Sequence, residues 1–130
     1  MKKGLLAVGL ATSLLCINSY AESLDLDTGS DLLARCNLLL ADLDRTSGRP
    51  SISVEDFYLK GQCVGFVKGT ARLLQLTKVI CLPTKVSDAE IIRVVVNYGK
   101  NYPKVLHQSS VNMALYGLGD AYPCSNGEAK

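Results

Sequence analysis

The chain has a single histidine, His107, among 130 residues, and that scarcity removes much of the chemistry open to a small protein. To act as a general base His107 would need a nucleophile beside it, and the sequence has no Gly-x-Ser-x-Gly turn to present one. Nor can one histidine complete a zinc site here, because the cysteines lack the close paired spacing such sites use. A structural hydrogen bond is the role expected of it, and neither a cofactor nor an enzymatic activity is expected of the chain. Long apolar runs are equally scarce: beyond the first 21 residues none is long enough to span a membrane. Internal repeats, low-complexity tracts, charge blocks and linkers are missing too, so one domain is expected.

What is present begins with an export signal. Met1 to Ala21 runs from basic Lys2 and Lys3, through an apolar stretch from Leu5 to Ile17, to a small-x-small end at Ser19, Tyr20 and Ala21. Cleavage after Ala21 is expected, leaving residues 22–130 as the mature domain. Cys16 follows Leu15, which is not the small residue a lipoprotein signal needs, so it leaves with the signal. Removing Lys2 and Lys3 from the 14 basic residues leaves 12, equal to the 12 acidic ones. A formally neutral mature chain argues against nucleic acid or an anionic membrane as partner. Cys36, Cys63, Cys81 and Cys124 remain, an even number in a short exported chain, which is the arithmetic of a disulfide framework. The oxidising periplasm of a Gram-negative cell is the compartment that fits.

The apolar spacing predicts an all-α bundle of about four helices in two antiparallel hairpins. Thr28 or Ser30 can cap a first helix over about 30–44, with Leu32, Leu33, Cys36, Leu39, Leu40 and Leu43 at helical intervals. Gly48 and Pro50 mark a turn, after which Ser53 and Asp56 resemble a capping box for a helix over about 54–76. That helix carries Gly61, Gly65 and Gly69 on one face at a cost of roughly 1 kcal/mol each relative to alanine. Close packing of the face, inside the domain or against a second copy, is expected. A phosphate cradle would need the glycines in a loop at a helix start. Ser87 and Glu90 cap a third helix over Ile91 to Tyr98, and Pro103 opens a fourth that frays near Gly117 and Gly119.

These helices constrain the cysteines. Cys63 and Cys81 are separated by ~20 Å of helix, with only about five residues to return at most ~17 Å, so they cannot readily pair. Cys36 lies about eight residues before the first turn and Cys63 about ten after it, at similar height across a hairpin. Cys36–Cys63 and Cys81–Cys124 is the pairing expected, the second pair lying at one end of the second hairpin.

The order Cys63, Gly65, Gly69, Cys81-Leu82-Pro83, Tyr98, Tyr102-Pro103, Ala114-Leu115 and Pro123-Cys124 resembles the type VI secretion immunity proteins that neutralise peptidoglycan amidase toxins, the Tai or Rap immunity family. Leu32, Leu33 and Cys36 fit that family's opening segment. The resemblance implies an all-helical periplasmic protein, generally a homodimer, that plugs the groove of a cognate cysteine amidase and has no catalytic residues of its own. An inhibitor's contacts are expected from polar loops held by bridged helices. Two loops qualify: one with Arg45 and Arg49, the other with Lys85 and Asp88. Tyr98, Tyr102, Tyr116 and Tyr122 suit an interface or a core equally. The rival from another class is a small helical periplasmic chaperone of the acid-stress type, which would dissociate on acidification to expose apolar surface.

Overall fold

The computed structural model describes residues 26–48 and 53–124. The expected signal peptide, residues 1–21, lies outside the described residues. Four α-helices follow one another: α1 (Gly29–Leu43), α2 (Val54–Leu76), α3 (Asp88–Asn101) and α4 (Ser110–Ala121), with a short 3-10 helix at Pro103–His107 before α4. No strand longer than an isolated bridge occurs among the described residues.

Each helix starts where a hydroxyl can accept an orphan N–H. Thr28 and Asp31 form a full capping box on α1, and the Ser53, Ser87 and Ser109 hydroxyls accept from the third residue of α2, α3 and α4. The end of α2 is a six-residue closure: Val79 N–H donates to the Leu74 carbonyl at 2.8 Å, with Lys78 in the left-handed region at a φ of 59°. The β-branched run of α3 is helical because Ile91, Ile92, Val95 and Val96 fall on one buried face.

The helices pack as two antiparallel hairpins, α1 with α2 and α3 with α4, and each hairpin also touches both helices of the other. Leu32, Val67, Ile92, Val95, Met113 and Leu118 are sealed at the centre, each such side chain stabilising the fold by about 1.5–3 kcal/mol. Both expected disulfides are present. Cys36–Cys63 lies wholly within the core, joining α1 to α2, and Cys81–Cys124 ties the segment before α3 to the residue past α4. Backbone bonds reinforce both ends: Gly29 N–H donates to the Gln108 carbonyl at 2.8 Å, and Cys81 N–H to that of Tyr122 at 2.9 Å.

Two expectations need correction, the unbroken fourth helix and its fraying near Gly117, and a third is narrowed. The fourth helix is split: Pro103 starts a 3-10 turn, and Ser109 caps a fresh α4 in its place. His107 closes that turn on the exposed surface. Inside the domain the close approaches are at Gly29, Gly99 and Gly117 and not on α2, so of the two alternatives expected for the α2 face only packing within the domain is set aside. A Cβ on Gly117 would stand 3.0 Å from Tyr98 Cβ, and one on Gly99 would stand 2.6 Å from Met113 Cε, so the α3–α4 hairpin is the tightly packed one and α4 continues past Gly117. Gly61, Gly65 and Gly69 have no neighbour within 4 Å of such an atom. Packing inside the domain therefore does not account for them.

Candidate functional site

Two of the clefts and two of the ion pairs lie around α3. Its first turn meets α2 through Lys68 Nζ and the Asp88 carboxylate, 2.7 Å apart, and Arg93, five residues later, pairs with Asp44 just beyond α1. Asp42 binds both Lys60 of α2 and Arg45, the latter at 3.2 Å. The Lys60 ammonium, hydrogen-bonded to Asp42, holds its carboxyl below the usual carboxylate range, with Arg45 contributing to the same shift. This band of ion pairs fastens α1, α2 and α3 together beside the two expected loops.

Two clefts flank the band. Between α1 and α3 a cleft of about 450 Å3 is lined, besides Leu40 and Val96, by Asn37, Ala41 and the C-cap Asp44 on one side and by Arg93, Asn97 and Lys100 on the other. Both sets follow an i, i+4, i+7 pattern, so each is a single stripe on its helix. Lys100 makes no ion pair among the described residues. A smaller cleft of about 220 Å3 lies where Leu82 and Asp88 overhang Lys68, Ala71 and Gln75 of α2.

The sequence-predicted contact residues fare differently. Lys85 is exposed at the tip of the turn from Pro83 to Val86, whose Val86 N–H returns to the Pro83 carbonyl at 3.3 Å. Asp88 is exposed but already paired with Lys68. Arg45 is exposed and tied to Asp42. Arg49 lies outside the described residues. Sequence reasoning missed the α1–α3 cleft, although the polar stripe Arg93, Asn97 and Lys100, opposite an apolar face, was a signal for it. The tyrosines gather on α3 and α4: the Tyr98 ring lies 4.6 Å from that of Tyr102 and 6.5 Å from that of Tyr116. Burial, followed by the nearby Asp120 charge, raises the Tyr98 phenol above its ordinary value, so it stays protonated through the physiological range.

The four described cysteines are locked in disulfides, and no group of three or more histidine, cysteine or acidic side chains converges for a metal among the described residues. No described helix is long and apolar enough to cross a membrane. A family model of Rap1a immunity proteins matches residues 28–124, from the cap of α1 to the last half-cystine, and the chain belongs to that family. No curated protein and no solved structure matches it.

Proposed function

We propose that this Rap1a immunity protein acts in the periplasm, after removal of residues 1–21, as a non-enzymatic inhibitor that binds a type VI secretion peptidoglycan amidase and blocks its substrate groove. Family membership over residues 28–124 is the observation that carries the reading. The binding unit is a homodimer of two such chains.

The turn at Pro83 to Val86 has the properties of an inhibitory plug. It projects exposed Pro83, Thr84 and Lys85, and both its ends are anchored, by the Cys81–Cys124 bridge before it and by the Asp88–Lys68 pair after it. A loop fixed in this way loses little entropy when it enters a groove. The α1–α3 cleft supplies a second contact. Arg93 gives one terminal nitrogen to Asp44, while the other is shielded from solvent without a protein acceptor. A partner's carbonyl or carboxylate that reaches it gains a charge-assisted hydrogen bond.

The test is periplasmic co-expression of a type VI secretion peptidoglycan amidase, with and without this protein. Cells making both should grow and cells making the amidase alone should lyse. Equal lysis, with no binding of the purified pair by calorimetry, contradicts the reading. Protection of an unrelated enzyme from acid aggregation would then favour the chaperone.

A further inference from the structure

We propose that Tyr98, Tyr102, Tyr116 and Asp120, gathered at the α3–α4 hairpin, form a docking site for an arginine side chain of a protein partner. As a sequence the tyrosines suit a core or an interface equally, and their burial decides between the two. Tyr102 is 55% exposed and Tyr116 45%, so packing within the chain leaves about half of each in water. Tyr98 is half-buried and pairs with both, its ring centroid 4.6 Å from that of Tyr102 and 6.5 Å from that of Tyr116, within the range at which aromatic rings attract one another.

The fold holds this cluster in place. Tyr98 lies across α4 where residue 117 has no side chain, since a Cβ there would stand 3.0 Å from Tyr98 Cβ and 3.3 Å from its Cγ. Tyr102 is the C-cap of α3, and its N–H donates to the Tyr98 carbonyl at 2.9 Å. Tyr116 and Asp120 are four residues apart on α4, which puts them on one face with about 5–6 Å between their Cβ atoms. A platform anchored at Tyr98 and built on two packed helices loses little entropy when a ligand settles on it.

Charge identifies what the platform takes. Asp42, Asp44 and Asp88 are each matched by a cation of this chain, whereas the exposed Asp120 forms no ion pair among the described residues. The charges that act on the Tyr98 phenol are those of Asp120, Tyr102 and Tyr116, every one of them acidic. Aromatic faces carry negative potential as well. Three rings and an unmatched carboxylate therefore present a single sign, and their complement is a cation. Of the two cationic side chains, arginine fits better. Its guanidinium is planar and weakly hydrated, and it stacks on a ring while its edge keeps N–H groups for a carboxylate. A cation is attracted by a ring whose centroid lies within about 6 Å, and Tyr116 and Asp120 are about that far apart. One guanidinium can thus lie over the Tyr116 ring and donate to the Asp120 carboxylate together.

The site is defined by its own chemistry and does not depend on the amidase reading, so a small probe tests it without the toxin. N-acetyl-arginine amide, which mimics an arginine within a chain, is titrated into the mature protein up to tens of millimolar, and the tyrosine ring signals are followed by nuclear magnetic resonance. The Tyr98, Tyr102 and Tyr116 signals should shift saturably. N-acetyl-citrulline amide, with the same shape and no charge, and N-acetyl-leucine amide should leave them in place. Asp120→Asn and Tyr116→Ala should each weaken arginine binding about 2–5-fold, the worth of an exposed ion pair or cation–ring contact, while Tyr116→Phe, which keeps the ring, should bind as the wild type does. An arginine probe that moves none of the three rings overturns the proposal. Equal binding of the citrulline probe, which would mean that charge is not read, or of the leucine probe, which would make the patch merely apolar, overturns it too, as does unchanged affinity in folded Asp120→Asn and Tyr116→Ala. Should a variant fail to fold, the three probes on the wild type decide.

Discussion

Replacing Cys36 and Cys63 together by alanine should lower the melting temperature by about 15 °C. The two positions are 27 residues apart in sequence, and a cross-link closing a loop of that length removes unfolded-state entropy worth about 3.5 kcal/mol in the chain-entropy model. A domain of this size unfolds with an entropy of about 0.2 kcal/mol per kelvin, which converts that energy into the stated shift. Both cysteines are fully buried, so lost sulfur contacts add to the effect. Alanine is the proper replacement because serine would bury two hydroxyls in an apolar centre. The assay is thermal unfolding of the mature protein by far-ultraviolet circular dichroism, with the second bridge kept intact. A fall of less than about 5 °C would refute the reasoning. A Cys63–Cys81 crosslinked peptide from the native protein would refute the helix geometry beneath it.

Gly117→Ala should destabilise by about 1–3 kcal/mol, since the new methyl meets Tyr98 at 3.0 Å and the Val95 backbone at 3.4 Å; an unchanged denaturant midpoint would contradict this. Lys78→Gly should raise stability by up to about 1–2 kcal/mol, because glycine adopts the left-handed φ of 59° at the α2 terminus without a Cβ penalty, and the same titration measures it. Lys85→Glu should weaken amidase binding in calorimetry and leave the circular dichroism spectrum unchanged, since the residue is exposed on an anchored turn. Asp31, chiefly through the Thr28 hydroxyl that donates to it, and Asp42, chiefly through Lys60, are held below the ordinary carboxylate range. The unfolded chain therefore takes up protons first, so their stabilisation is complete above about pH 5 and is lost as pH falls through the unfolded and then the folded values. A urea midpoint at pH 3 equal to that at neutral pH would contradict it.

The helices were legible because local signals agreed with the apolar period. Ser53 and Ser87 stand where caps are needed, and α2 spans Val54–Leu76 as its pattern indicated. The cysteine pairing followed, since it depended only on helix lengths and turns. Where tertiary packing set the outcome, sequence reading failed. Gly61, Gly65 and Gly69 announce close approach by spacing, yet the close contacts inside the domain belong to Gly29, Gly99 and Gly117, whose roles depend on Val105, Met113 and Tyr98 of the segments facing them. Pro103 is compatible with the first turn of either an α- or a 3-10 helix, and only the fresh cap at Ser109 separates the two. Of the proposed contacts, the Lys85 turn was readable as a loop between caps. The α1–α3 cleft was legible on one wall only, as the Arg93, Asn97 and Lys100 stripe, because it exists only once Asn37 and Arg93, far apart in sequence, are brought to its two walls.

The central proposal is inhibition by occlusion, and the direct measurement is peptidoglycan hydrolysis by a purified type VI secretion amidase that the protein binds, titrated with the mature protein. Hydrolysis should fall to background at one inhibitor chain per amidase molecule, and amidase recovered from the complex after denaturation and refolding should be chemically unchanged and active. Hydrolysis that persists at a large excess of this protein, or an amidase that emerges covalently modified, would contradict the account.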